Sequence, residues 1–327
     1  MRISRVVLLI ILFSSCNLVP EAQRVFFDGN STAVGLRSEA VSNASDLVFE
    51  ADIALLYGLS RETVLGYIED QDLKFTGNGT YVVNNLAAEE LPQRLPGSTV
   101  ILVDQSGTYD SADAMNFRSK LINQFTHELG SSSTWLIGGF SKGGSLSVEP
   151  AEYGTAMFTS DADAIMPYLF GLAARTGGVS SLYDAMISGI DRLKTTSGSR
   201  MLLVLAHESD SLSTATLSDV IAEATLNQIK IDIIFVGNIG DTQPLAKISQ
   251  QTGGIFSFCP SDLEMITTFN HLNRIYDQPM LSLRMQITFT PLSGPLGSGV
   301  DTYHQLTVFD AIAEKDLNPV MIYIRTP

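Results

Sequence analysis

The chain has 327 residues, of which 35 are acidic and 20 basic, giving a net charge of −15 at pH 7; 45% of its residues are hydrophobic and two are cysteines. That balance argues against nucleic acid and anionic membrane surfaces as partners, since both select for basic patches, and it suits solubility outside the cytoplasm. Only Cys16 and Cys259 are present, so no disulfide framework is expected and stability has to come from a core. Roughly 290 residues beyond a leader and tether are enough for one large or two modest domains.

At the start, Arg2 and Arg5 precede an apolar run from Val6 to Phe13, which ends at Ser14, Ser15 and Cys16. A basic segment, a short apolar segment and small residues form a secretory signal, and the run is too short to span a bilayer. Cys16 after two serines resembles a bacterial lipobox, with Phe13 where leucine is usual. This implies a signal peptide over residues 1–15 and a lipoprotein whose membrane anchor is carried on Cys16 at the cell envelope. A plain signal cleaved nearby is the alternative. The sequons at Asn30, Asn43 and Asn78 matter only in a eukaryotic source. Residues 16–45 lack sustained periodicity and read as a tether. Residues 46–95 form an N-terminal β region of short runs from Leu47 onward, and Pro92 and Pro96 punctuate its end.

Between residues 96 and 275, near-continuous apolar runs alternate with helical patterns. Strands are expected at 98–104, 134–140, 200–206, 231–237 and 254–258. Helices are expected at 110–129, 162–175, 181–193, 217–228, 244–251 and 261–272. Strands of this kind are buried on both faces, so the fold class is α/β, a doubly wound, mostly parallel sheet flanked by helices. Such sheets place their sites at the carboxyl ends of the strands. Residues 276–327 return to β alternation. They are expected to pack with residues 46–95 as an additional β module that the α/β domain interrupts.

Asp104-Gln105-Ser106-Gly107-Thr108 stands at one strand end and sets a carboxylate beside two hydroxyls, the oxygen donors that hard cations take. Three later segments accompany it: Thr176 to Met186, Met201 to Asp210, and Ile231 to Gly237 with Ala246 to Phe256. In order and spacing the four segments resemble the von Willebrand factor type A (VWA) domain family. The resemblance implies a metal-ion-dependent adhesion site, in which Mg²⁺ is held by Asp104, Ser106, Thr108 and Ser180 and takes a carboxylate from the partner. His207 falls where the third-loop aspartate belongs, and imidazole suits zinc or nickel better than magnesium. Asp210, like Glu208, lies close enough in sequence to reach back. The alternative is a metal-free polar cluster that caps helices and ties loops together.

A second reading starts from Gly139-Phe140-Ser141-Lys142-Gly143, a G-x-S-x-G match that in an α/β-hydrolase would expose Ser141 as nucleophile. Asp210 or Asp241, then His271 or His304, follow in triad order. Against it, residues 144–150 are poor helix formers and end in Pro150, whereas a nucleophile elbow leads straight into a helix. Cys259, among Phe256, Phe258 and Pro260, reads as a small buried hydrophobe. The expectation is therefore an extracytoplasmic binding or adhesion protein, not an enzyme, that recognises a protein or surface polymer. A metal-independent envelope scaffold is the alternative.

Overall fold

The computed structural model describes residues 32–56, 70–95, 97–107, 117–129, 132–172, 174–237, 242–273, 275, 280–310 and 314–327. The leader, Cys16 and the first half of the expected tether lie outside these residues. The second half is no tether: Thr32–Asn43 is strand β1, with Ala33 and Val34 buried. Its alternation is broken by bulges near Leu36 and Val41, which hides a strand from a period-two pattern.

β1 pairs with β2 (Leu47–Leu56), and β3 (Leu73–Thr76) and β4 (Gly79–Leu91) follow. The central region then runs β5 (Gly97–Asp104), α1 (Phe117–Leu129), β6 (Thr134–Phe140), β7 (Glu152–Tyr153) and α2 (Met166–Leu172). It continues as α3 (Leu182–Leu193), β8 (Ser199–Ala206), α4 (Leu217–Leu226), β9 (Lys230–Val236), α5 (Gln243–Thr252), β10 (Phe256–Cys259) and α6 (Asp262–Leu272). The helix expected over 162–175 is only a short 3-10 turn at Asp163–Ile165 followed by α2. Strands β11 (Met280–Pro291), β12 (Asp301–Asp310), β13 (Lys315–Asp316) and β14 (Val320–Arg325) complete the chain.

The main sheet has ten strands in the order β4-β11-β2-β1-β10-β9-β8-β5-β6-β7. Strands β10, β9, β8, β5 and β6 are mutually parallel, and β7 is a short antiparallel edge. Counted along the chain, these six strands lie in the order 3-2-1-4-5-6 of a doubly wound sheet. Alternate residues feed two cores. Ile101, Val103, Leu203 and Leu205 face α1, α2 and α6, while Val100, Leu102, Leu202 and Val204 face α3, α4 and α5. Full burial of each such side chain stabilises the fold by roughly 1.5–3 kcal/mol.

The β regions are not a separate body. β1 joins the parallel sheet antiparallel to β10 through Gly35 and Phe256, and β11 lies between β2 and β4. A second sheet, in which β12 pairs with β3, β13 and β14, closes a third core around Phe49, Ile53, Met285, Leu306 and Ile322.

Candidate functional site

The order of winding reverses between β5 and β8, and the crevice at the carboxyl ends of these strands is where such sheets bind ligands. Asp104 closes β5 there, wholly buried. One carboxylate oxygen accepts the backbone N–H of Ser106 at 2.8 Å, and the other accepts that of His207 at 3.3 Å. Burial pushes the Asp104 carboxyl up from its ordinary pKa; the hydrogen bonds from Ser106 and His207 oppose this without cancelling it. The Asp104 carbonyl accepts from Arg118 Nη1 and Gln105 Nε2, both at 3.0 Å. Arg118 is 1% exposed. Nothing in the sequence marked it, since arginine on an amphipathic helix ordinarily faces water.

The second loop is tied to the first by Gly107 N to the Gly178 carbonyl (3.1 Å) and Gly177 N to the Gln105 carbonyl (2.9 Å). Gly178 has φ +77°, and a Cβ there would lie 2.3 Å from the Lys142 carbonyl oxygen, so the position admits glycine alone. Two residues on, Ser180 is wholly buried and its hydroxyl has no hydrogen-bond partner. Lys142 and Val179 exchange backbone hydrogen bonds of 2.8 and 3.1 Å, which brings the turn after β6 to the same end.

In the third loop His207 is a hydrogen-bonded loop histidine. The His207 ring turns its Nδ1 to the carbonyl oxygen of Val236, so Nδ1 carries the proton and the backbone N–H, not the imidazole, meets Asp104. Asp210 does not reach back. Its carboxylate accepts Tyr183 N (3.1 Å), Ser213 Oγ (2.5 Å) and Ser213 N (3.2 Å), and so caps the start of α3. Thr108 and Asp241 lie outside the described residues, as does the side chain of His271.

The serine triad is not assembled among the described residues. Ser141 is buried at the end of β6, is followed by irregular chain, and its hydroxyl has no partner. Of its expected partners, Asp210 is committed to α3. His304 sits in the third core, stacked on Phe49 at 4.8 Å, with Tyr81 Oη 3.0 Å from Nδ1 and Thr302 Oγ1 3.1 Å from Nε2. Burial depresses its pKa to about 4. Cys259 is a buried thiol, pushed by burial to about 12 and so unreactive.

Among the described residues no three His, Cys, Asp or Glu side chains converge to hold a metal, so a cation here depends on hydroxyls. Asp104, Ser106 and Ser180 suit a hard ion in kind, and the unpartnered Ser180 hydroxyl is a donor left over for one. The set supplies a single carboxylate.

The fold is a doubly wound, von Willebrand factor type A/Rossmann-like α/β fold, in which Asp104 and Ser106 lie in the first loop and Ser180 in the second. No protein-family model matches the chain, and no curated protein does. Among solved structures it is similar to a von Willebrand factor type A protein from Catenulispora acidiphila, at 11% identity and TM-score 0.46 over 92% of this chain and 76% of that one. It is also similar to the pilus adhesin SpaC from Lactobacillus rhamnosus GG, at 10% identity and TM-score 0.46 over 88% of this chain and 47% of that one. A third is the conserved hypothetical protein BatB from Bacteroides thetaiotaomicron, at 13% identity and TM-score 0.42 over 55% and 99%.

Proposed function

We propose that this protein is an extracytoplasmic binding protein, lipid-anchored through Cys16, that recognises a protein or surface polymer at the carboxyl end of its parallel strands. The observation that carries this reading is that a buried carboxylate, Asp104, and a buried hydroxyl without a hydrogen-bond partner, Ser180, belong to two loops tied together at the carboxyl ends of the parallel strands. Mg²⁺ would be held by Asp104, Ser106, Thr108 and Ser180 and would supply a positive centre for a partner carboxylate. Titration with Mg²⁺ or Mn²⁺ should release or absorb heat at millimolar metal, and Asp104→Ala should abolish it. Capture of a partner from the native envelope should then be lost with a chelator; no heat in the native protein sinks the metal-assisted reading.

The second reading, a metal-independent envelope scaffold, is favoured by one observation. Both Asp104 oxygens already accept backbone N–H groups and the His207 ring is engaged elsewhere, so the loops hold together without an ion. Capture unaffected by chelator and by Asp104→Ala would select it.

A further inference from the structure

At the end of the sheet opposite Asp104, beside the first residues of β5, β8 and β9, lies a cavity of about 540 Å³. Small-molecule sites run from about 300 to 1,000 Å³ and are mostly apolar with a few polar groups. The walls here are largely aliphatic: Leu36 of β1, Leu91 and Leu95 on the way into β5, and Met201 of β8.

Its charge is the reverse of the molecule's. Four basic residues line the cavity, Arg37, Arg94, Arg200 and Lys230, on a chain whose net charge is −15. Two of them are neutralised. Arg94 forms a two-pronged pair with the buried Asp232, with Nη2 2.9 Å from Oδ1, and Arg37 pairs with Asp52, which Arg284 also approaches at 3.0 Å. Arg200 and Lys230 have no ion-pair partner among the described residues, and Arg200 Nε is buried with no acceptor. Both residues place a positive charge at the wall of a largely aliphatic space, where charge attraction favours an anionic ligand over a neutral one.

We propose that this cavity binds a small amphiphilic anion, a carboxylate on an aliphatic body, with its head group at Arg200 and Lys230 and its hydrocarbon against Leu36, Leu95 and Met201. A neutral apolar ligand would leave both cations uncompensated. A short carboxylate would leave the aliphatic walls uncovered. Because the cavity lies at the other end of the sheet from Asp104, its occupancy is independent of any cation there.

Isothermal titration of the full chain with decanoate, decanol and acetate tests this directly. Decanoate should bind at least tenfold more tightly than decanol, and acetate should give no saturable heat. Lys230→Gln and Arg200→Gln should each weaken decanoate at least tenfold. Leu95→Asp, at a position 70% exposed and so tolerant of the change, should do the same from the apolar wall, with melting curves confirming that each variant is folded. Asp104→Ala and chelator should leave decanoate affinity unchanged. Absence of decanoate binding, equal affinity for decanol, or decanoate affinity indifferent to both cation variants would overturn the proposal.

Discussion

Ser180 keeps a hydroxyl without a hydrogen-bond partner inside the protein, although such a group loses its hydration on folding and gains nothing in return. Replacing it by alanine removes the unsatisfied group. Ser180→Ala is expected to leave stability unchanged or to raise it by up to about 1 kcal/mol, while weakening any metal- or partner-dependent signal; a loss of stability of that size would show that the hydroxyl has a structural partner. His304 gives the opposite lesson, a polar ring fully used inside an aromatic core. Its pKa of about 4 lies below the ordinary 6.5, so the unfolded chain takes up a proton first. The stability it contributes is complete above pH 6.5 and falls away as the pH drops from 6.5 through 4. The loss approaches about 3 kcal/mol at 1.36 kcal/mol per unit. Denaturant unfolding at pH 7 and pH 4 should show this difference in the native protein and not in His304→Phe. That Asp104, Ser106 and Ser180 lie in loops at the carboxyl end of the sheet was legible from type and spacing. The direction of the His207 ring was not, because the Val236 carbonyl that takes it comes from β9, a separate strand.

Helix starts show which capping is local and which is borrowed. α4 is capped by Thr216 and Asp219 in a reciprocal capping box, three residues apart and readable in sequence. α3 has Ser181 at its N-cap position, yet that side chain makes no capping bond; Asp210, from the loop after β8, accepts Tyr183 N instead. Asp184 answers by accepting Thr214 N and Ala215 N, at 3.0 and 2.8 Å. The third loop is thus bound to α3 from both sides, and Asp210→Ala should cost roughly 1–2 kcal/mol, within the range of N-cap losses. Thermal melts measure the cost, and faster amide exchange in residues 207–216 should accompany it; an unchanged melt would mean that Asp184 alone suffices. Alternation was equally reliable where a strand has one buried face. In β12, His304, Leu306 and Val308 point inward in turn, and that same alternation removes His304 from any role beside Ser141.

At the scale of the whole molecule, the chain's two ends complete each other. β11 is the partner of both β2 and β4, and Met321 of β14 packs into the core under α3, α4 and α5. Deleting residues 280–327 should therefore leave the 47–90 region open to protease and abolish a single cooperative unfolding transition. Continued resistance of that region would mean that it folds without β11. The sequence alone determined the α/β core, because strand and helix periods and apolar runs are local properties that burial on one or two faces imposes directly. Tertiary structure decided that residues 32–43 are a strand, that Asp210 serves α3, that His207 turns away from Asp104, and that Arg200 and Lys230 line an aliphatic cavity. Each of these depends on which distant segments pair, as Gly35 does with Phe256, and no local pattern carries that information.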